Sequence, residues 1–106
     1  MAVERAPDSP RAWAALSRVR RLRGELDSAD DAVAHALRLE PAYAPARLTR
    51  IYNRLARGEV DAARAEIDAL RETGAQPEGF ELAVGCAAGT PDEARECVVA
   101  ASRDPE

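Results

Sequence analysis

Apolar residues along this chain recur three and four positions apart, in six short runs. Trp13, Leu16, Val19 and Leu22 form the first run, and Ala29, Val33, Ala36 and Leu37 the second. Leu48, Ile51, Tyr52 and Leu55 follow, then Ala63, Ile67 and Leu70. Phe80, Ala83, Val84 and Ala87 make the fifth, and Ala94, Val98 and Ala101 the last. This spacing puts each run on one face of a helix. β-branched residues are scattered and nowhere alternate with period two, so no strand is expected. The pattern predicts an all-α fold of about six helices.

Start and stop residues sharpen the boundaries. Ser9 before Pro10 reads as an N-cap followed by a proline at the first helical position, opening a helix over 10–23. Gly24 ends it. Asp27 is placed to cap a second helix over 28–39, which Glu40-Pro41 stops. Residues 71–79 form a longer connection with Gly74 as a helix stop. A short helix over 78–88 follows. The last helix, over 91–102, opens on Pro91 and carries Asp92 and Glu93 in its first turn, where the helix dipole favours acids.

The turns repeat. Arg23-Gly24-Glu25-Leu26-Asp27-Ser28-Ala29 returns as Arg57-Gly58-Glu59-Val60-Asp61-Ala62-Ala63, and more loosely as Gly89-Thr90-Pro91-Asp92-Glu93-Ala94. The three glycines lie 34 and then 31 residues apart. A turn recurring at this period is the mark of a helical repeat array. Trp13-x-x-Leu16-Ser17, then Ala29, Val33, Ala36 and Pro41, resembles the tetratricopeptide repeat, with Ser17 at the small position and Arg20 where an aromatic is usual. The resemblance implies an α-solenoid of helical hairpins. Its units are residues 10–41, 42–75 and a degenerate 76–106, with 1–9 a lead-in resembling the end of a preceding helix. Asp104-Pro105-Glu106 resembles another unit boundary, so a longer array is expected. In strict register the second unit would bury Arg47, Arg50 and Arg54, at prohibitive cost. Its apolar stripe at Leu48, Ile51, Tyr52 and Leu55 instead predicts a helix rotated by about one residue.

Composition narrows the function. The chain has 106 residues and a net charge of −4, which argues against nucleic acid as partner. All of its basic residues are arginine, as a GC-rich genome would give. No apolar run reaches membrane-spanning length, and the first residues lack a signal core, so a cytoplasmic location is expected. His35 stands alone on an alanine-rich stretch, with no nucleophile motif, phosphate loop or metal-ligand spacing near it. No catalysis, cofactor or metal is expected. Cys86 and Cys97 flank the third turn. They read either as two small buried apolar residues or as a pair facing one another across a hairpin.

Charge sign alternates from helix to helix. Residues 10–24 sum to +5, 25–40 to −4, 41–57 to +4 and 58–72 to −3. One reading pairs each basic helix with the acidic helix beside it. The other follows from the resemblance, which implies that first helices line a concave, peptide-binding face. That face would be an arginine trough for an acidic or C-terminal carboxylate segment. Its expected residues are Arg11, Arg18, Arg21, Arg50, Asn53 and Arg57. The lysine-and-asparagine clamp by which some such domains hold chaperone C-termini is not expected. Ala14 and Arg18 occupy its first two positions, and the third unit's first helix has no cation. The expected role is therefore binding of a protein or peptide. Homo-oligomerisation, or service as an accessory module of a larger enzyme or regulator, are the alternatives.

Overall fold

A computed structural model describes residues 2–102, and within them the chain is helical with no strand. A single turn, α1 (Ala2–Arg5), precedes α2 (Pro10–Leu22), α3 (Leu26–Leu39), α4 (Ala44–Ala56), α5 (Val60–Glu72), α6 (Phe80–Ala87) and α7 (Pro91–Ser102). The second boundary expected at Asp104-Pro105-Glu106 lies outside the described residues.

Local chemistry sets these ends. The Ser9 hydroxyl accepts from the Ala12 amide at 3.2 Å, and Pro10 follows as the first helical residue. The first two hairpin turns are the same structure. Gly24 (φ 79°) and Gly58 (φ 77°) adopt left-handed backbone. The amides of Glu25 and Glu59 donate to the carbonyls of Arg20 and Arg54, both at 2.9 Å. Gly24 and Gly58 likewise donate to Arg21 and Leu55. This Schellman closure satisfies the last carbonyls and lets the next helix begin two residues later. It also displaces the expected cap: α3 begins at Leu26, so Asp27 lies inside its first turn, and no side chain caps this helix. The third turn is different. Gly89 is not left-handed. Instead the Thr90 hydroxyl accepts from the Glu93 amide at 3.2 Å, and the Glu93 carboxylate accepts from the Thr90 amide at 2.8 Å. This reciprocal capping box starts α7.

The helices pair as α2 with α3, α4 with α5, and α6 with α7, and α4 packs against both neighbouring pairs. Ala14, Val33, Ala36 and Ala46 form a small-residue seam between α2, α3 and α4. The larger core runs from Leu48, Ile51 and Leu55 of α4 through Ile67 and Leu70 to Phe80, Ala83 and Val98. The third pair closes on α4 through both of its helices. Arg64 ties α5 to the end of α6, with Nε donating to the Ala87 carbonyl at 2.7 Å and Nη2 to Gly89 at 3.2 Å. A disulfide joins Cys86 of α6 to Cys97 of α7, with the Cα atoms 5.4 Å apart.

The rotation of α4 is as the pattern predicts: Leu48, Ile51 and Leu55 are buried, while Arg47, Arg50 and Arg54 are only partly covered. The stripe expected on α2 needs correction. Val19 is 36% and Leu22 47% exposed, and Trp13 is half-buried. The packed face of α2 is instead Ala12, Ala14, Leu16 and Ser17. Small residues let α3 and α4 approach closely on two sides, which turns the bulkier side chains outward. Trp13 stacks on His35, ring centroids 4.0 Å apart, and its indole N–H donates to the Pro7 carbonyl at 2.8 Å.

Candidate functional site: an arginine-walled groove

Residues 11, 14, 18 and 21 recur three and four apart, so they share one flank of α2. This flank, with Arg11, Arg18 and Arg21, forms one wall of a groove of about 620 Å³. Tyr43, Leu48 and Tyr52 make the floor. Pro77, Gly79 and Leu82 form the opposite wall, with Ala101 of α7 at the edge. Glu78 is the single carboxylate among the described residues of the lining. Leu82 is 47% exposed, an apolar side chain left open beside the cations.

Arg21 is the fixed point of the wall. Asn53, fully buried, accepts from Arg21 Nη1 at 3.1 Å and donates to the Ser17 hydroxyl at 3.0 Å. Ser17 in turn donates to the Ala29 carbonyl at 2.6 Å. The guanidinium carbon lies 5.2 Å from the Tyr52 ring centroid, a cation–π arrangement. Tyr52 donates its phenolic proton to the Gly79 carbonyl at 2.7 Å, which ties α4 to the opposite wall. Gly79 is left-handed (φ 91°), and a side chain there would press on the Tyr52 hydroxyl.

The electrostatics of this corner are unbalanced. Arg21 Nε is sealed from solvent without a hydrogen-bond partner. Among the described residues no carboxylate forms an ion pair with Arg11, Arg18 or Arg21. Burial, and then the neighbouring charge of Arg18, lower the Arg21 pKa from the ordinary guanidinium range to about 10. Burial also raises the Tyr52 pKa, against a smaller downward pull from Arg21. The groove thus holds positive charge that no ion pair among the described residues neutralises.

The other three residues expected in the trough lie elsewhere. Arg50 and Arg54 both grip Glu66 of α5, Arg50 at 2.5 Å. Arg57 reaches back to α3, pairing with Asp27 at 2.6 Å and Asp30 at 2.8 Å. Asn53 is internal. The two readings of the charge alternation therefore divide the chain. Arg50, Arg54 and Arg57 pair with acidic helices, as the first reading has it, while Arg11, Arg18 and Arg21 of α2 face a groove. Tyr43, Tyr52 and Leu82 were not expected there; Tyr52 read only as part of an apolar stripe, and no local signal separates groove from core. His35 lies outside the lining. Among the described residues no cluster of His, Cys, Asp and Glu is arranged to hold a metal, and no helix is long and apolar enough to cross a membrane.

No family model, curated protein or solved structure matches this chain.

Proposed function

We propose that the chain is an interaction module, resembling the tetratricopeptide repeat, that binds an acidic protein segment in the groove along α2. The observation that carries this reading is Arg21. A guanidinium held partly desolvated beside a second arginine, with no carboxylate of the described residues against it, costs stability. An anionic segment supplies the missing counter-charge, and the low local dielectric strengthens that contact. Exposed Leu82 and the tyrosines give an apolar surface for the rest of the segment. The described lining holds arginines, one carboxylate and two phenols, a set suited to binding rather than to acid–base or nucleophilic chemistry.

The test is fluorescence anisotropy with a labelled oligoglutamate peptide and its oligoglutamine counterpart, at low and at physiological ionic strength. The protein is compared with an Arg18→Glu, Arg21→Glu variant whose fold is checked by circular dichroism. Saturable binding of the acidic peptide, weakened by salt and lost in the folded variant, is expected. Absence of binding, or equal binding by the variant, refutes the reading. Self-association is the competing reading, favoured by exposed Val19 and Leu22 on α2. Sedimentation equilibrium showing a concentration-dependent mass supports it.

A further inference from the structure

The wall opposite the arginines is clamped by a covalent bond. Residues 88–90 join α6 to α7 as a short turn, which makes the two helices an antiparallel hairpin. Leu82 and Cys86 are four apart on α6, and Cys97 and Ala101 are four apart on α7. Residues at this spacing share one side of a helix, a turn apart. Stepping back from Cys86 to Leu82, and forward from Cys97 to Ala101, moves the same way along an antiparallel pair. Both steps end at the groove, which Leu82 and Ala101 line. The Cys86–Cys97 disulfide therefore lies one turn, about 6 Å, behind that wall.

The two helices of this wall are held unequally. The start of α6 is fixed by the Tyr52 bond to the Gly79 carbonyl, and the helix buries Phe80 and Ala83. Among its described residues α7 buries only Ala94 and Val98, where α5 buries Val60, Ala63, Ile67 and Leu70. Its first half is also tied by Arg95, whose Nη1 donates to the Arg57 carbonyl at 3.3 Å. The half that carries Ala101 is anchored by Val98 and by the disulfide. A segment with so little buried apolar surface opens locally at low cost, and the cross-link opposes that opening. Cys97 is partly exposed while Cys86 is sealed in the core, so a thiolate approaches the bond from the α7 side.

We infer that the Cys86–Cys97 disulfide is a redox switch for the groove. Intact, it keeps Ala101 at the groove and the wall complete. Opened by a dithiol, it releases the second half of α7 and weakens binding. In the exchange one sulfur of the dithiol bonds to Cys97, and Cys86 leaves and takes a proton. The second sulfur of the dithiol then displaces Cys97, which takes the other proton. The protein gains two electrons and holds two thiols, and the dithiol becomes a disulfide. The inference rests on the acidic-groove reading above and adds its regulation.

The test titrates the labelled oligoglutamate peptide with the oxidised protein, with the protein in dithiothreitol, and with a Cys86→Ala, Cys97→Ala variant without reductant. Circular dichroism first establishes that all three are helical. The reduced protein and the variant are expected to bind at least about threefold more weakly, as for a wall complete in one molecule in three. Amide hydrogen exchange read by mass spectrometry supplies a measure independent of the peptide. Reduction is expected to speed exchange in residues 97–102 by about tenfold or more, with α4 and α5 unchanged. Equal affinity in the oxidised and reduced proteins, or a variant that binds like the oxidised one, overturns the inference while the acidic-groove reading stands. So does faster exchange spread evenly over all helices, or unfolding on reduction, since the bond then supports the whole fold and not the wall. Binding in neither redox state overturns both.

Discussion

Replacing Arg21 by Met should make this protein more stable, which is unusual for a half-buried residue that hydrogen-bonds another side chain. The lowering of the Arg21 pKa from the ordinary guanidinium range to about 10 corresponds to a penalty of about 3 kcal/mol on the folded state. That figure is an upper bound, because the guanidinium retains some contact with solvent. Against it stand the hydrogen bond to Asn53, about 1.5 kcal/mol for a charged donor, and the Tyr52 contact, about 0.5–1 kcal/mol. Methionine keeps the apolar stem in place. The net expectation is a gain of at most about 1 kcal/mol, read as a higher urea midpoint with unchanged slope in far-ultraviolet circular dichroism. The sign with pH is also fixed. The penalty on the charged form is fully present below the folded pKa of about 10 and is relieved only as pH rises past it. The gain should therefore be constant between about pH 6 and 9. Arg57→Met serves as the control: the same substitution, at a guanidinium paired with Asp27 and Asp30, should lower stability. If Arg21→Met destabilises the fold by about 1 kcal/mol or more, Arg21 is not an uncompensated charge and the case for an anionic ligand loses its support.

Gly24→Ala should cost about 1 kcal/mol in urea unfolding, because left-handed backbone is unfavourable for alanine. Gly58→Ala should cost more, since its methyl group would also meet Arg95 and Pro91. Reducing the Cys86–Cys97 disulfide, or replacing both cysteines by Ala, should lower stability by about 3 kcal/mol for a loop of this length; no change in urea midpoint on reduction would mean the cross-link constrains nothing. Tyr52 has a raised pKa, so its contribution is present below the ordinary value near 10 and is lost as pH rises past the folded value. Tyr52→Phe should remove the alkaline part of the stability loss and cost about 1 kcal/mol at neutral pH through the bond to Gly79; an unchanged alkaline titration would exclude that role.

Local rules located most of the helices because the relevant physics is local. Left-handed glycine, proline at a first turn and a Ser9 cap act within a few residues, so Gly24, Gly58 and Pro10 could be read directly. The rotation of α4 was legible too, since burying Arg47, Arg50 and Arg54 would be prohibitive. Local rules failed where two structures compete for the same residues. The Schellman closure at Gly24 left no room for Asp27 to cap, and its carboxylate went to Arg57 instead. The α2 stripe failed because hydrophobicity ranks Val19 above Ser17. Packing followed size instead: Ser17 and the alanines let the helices approach, and the hydroxyl found partners in Ala29 and Asn53.

The sequence by itself determined the all-α class, the repeated turns and the residues that cannot be buried, because each follows from backbone geometry or desolvation cost over short distances. Only the tertiary structure decided which arginines are used up. Arg50, Arg54 and Arg57 meet carboxylates on other helices, while Arg11, Arg18 and Arg21 face a groove closed by Tyr52, Gly79 and Leu82. Whether a charge is neutralised depends on partners up to 30 residues away in the chain, and on the angle at which helices cross. No period or spacing along the sequence encodes that angle.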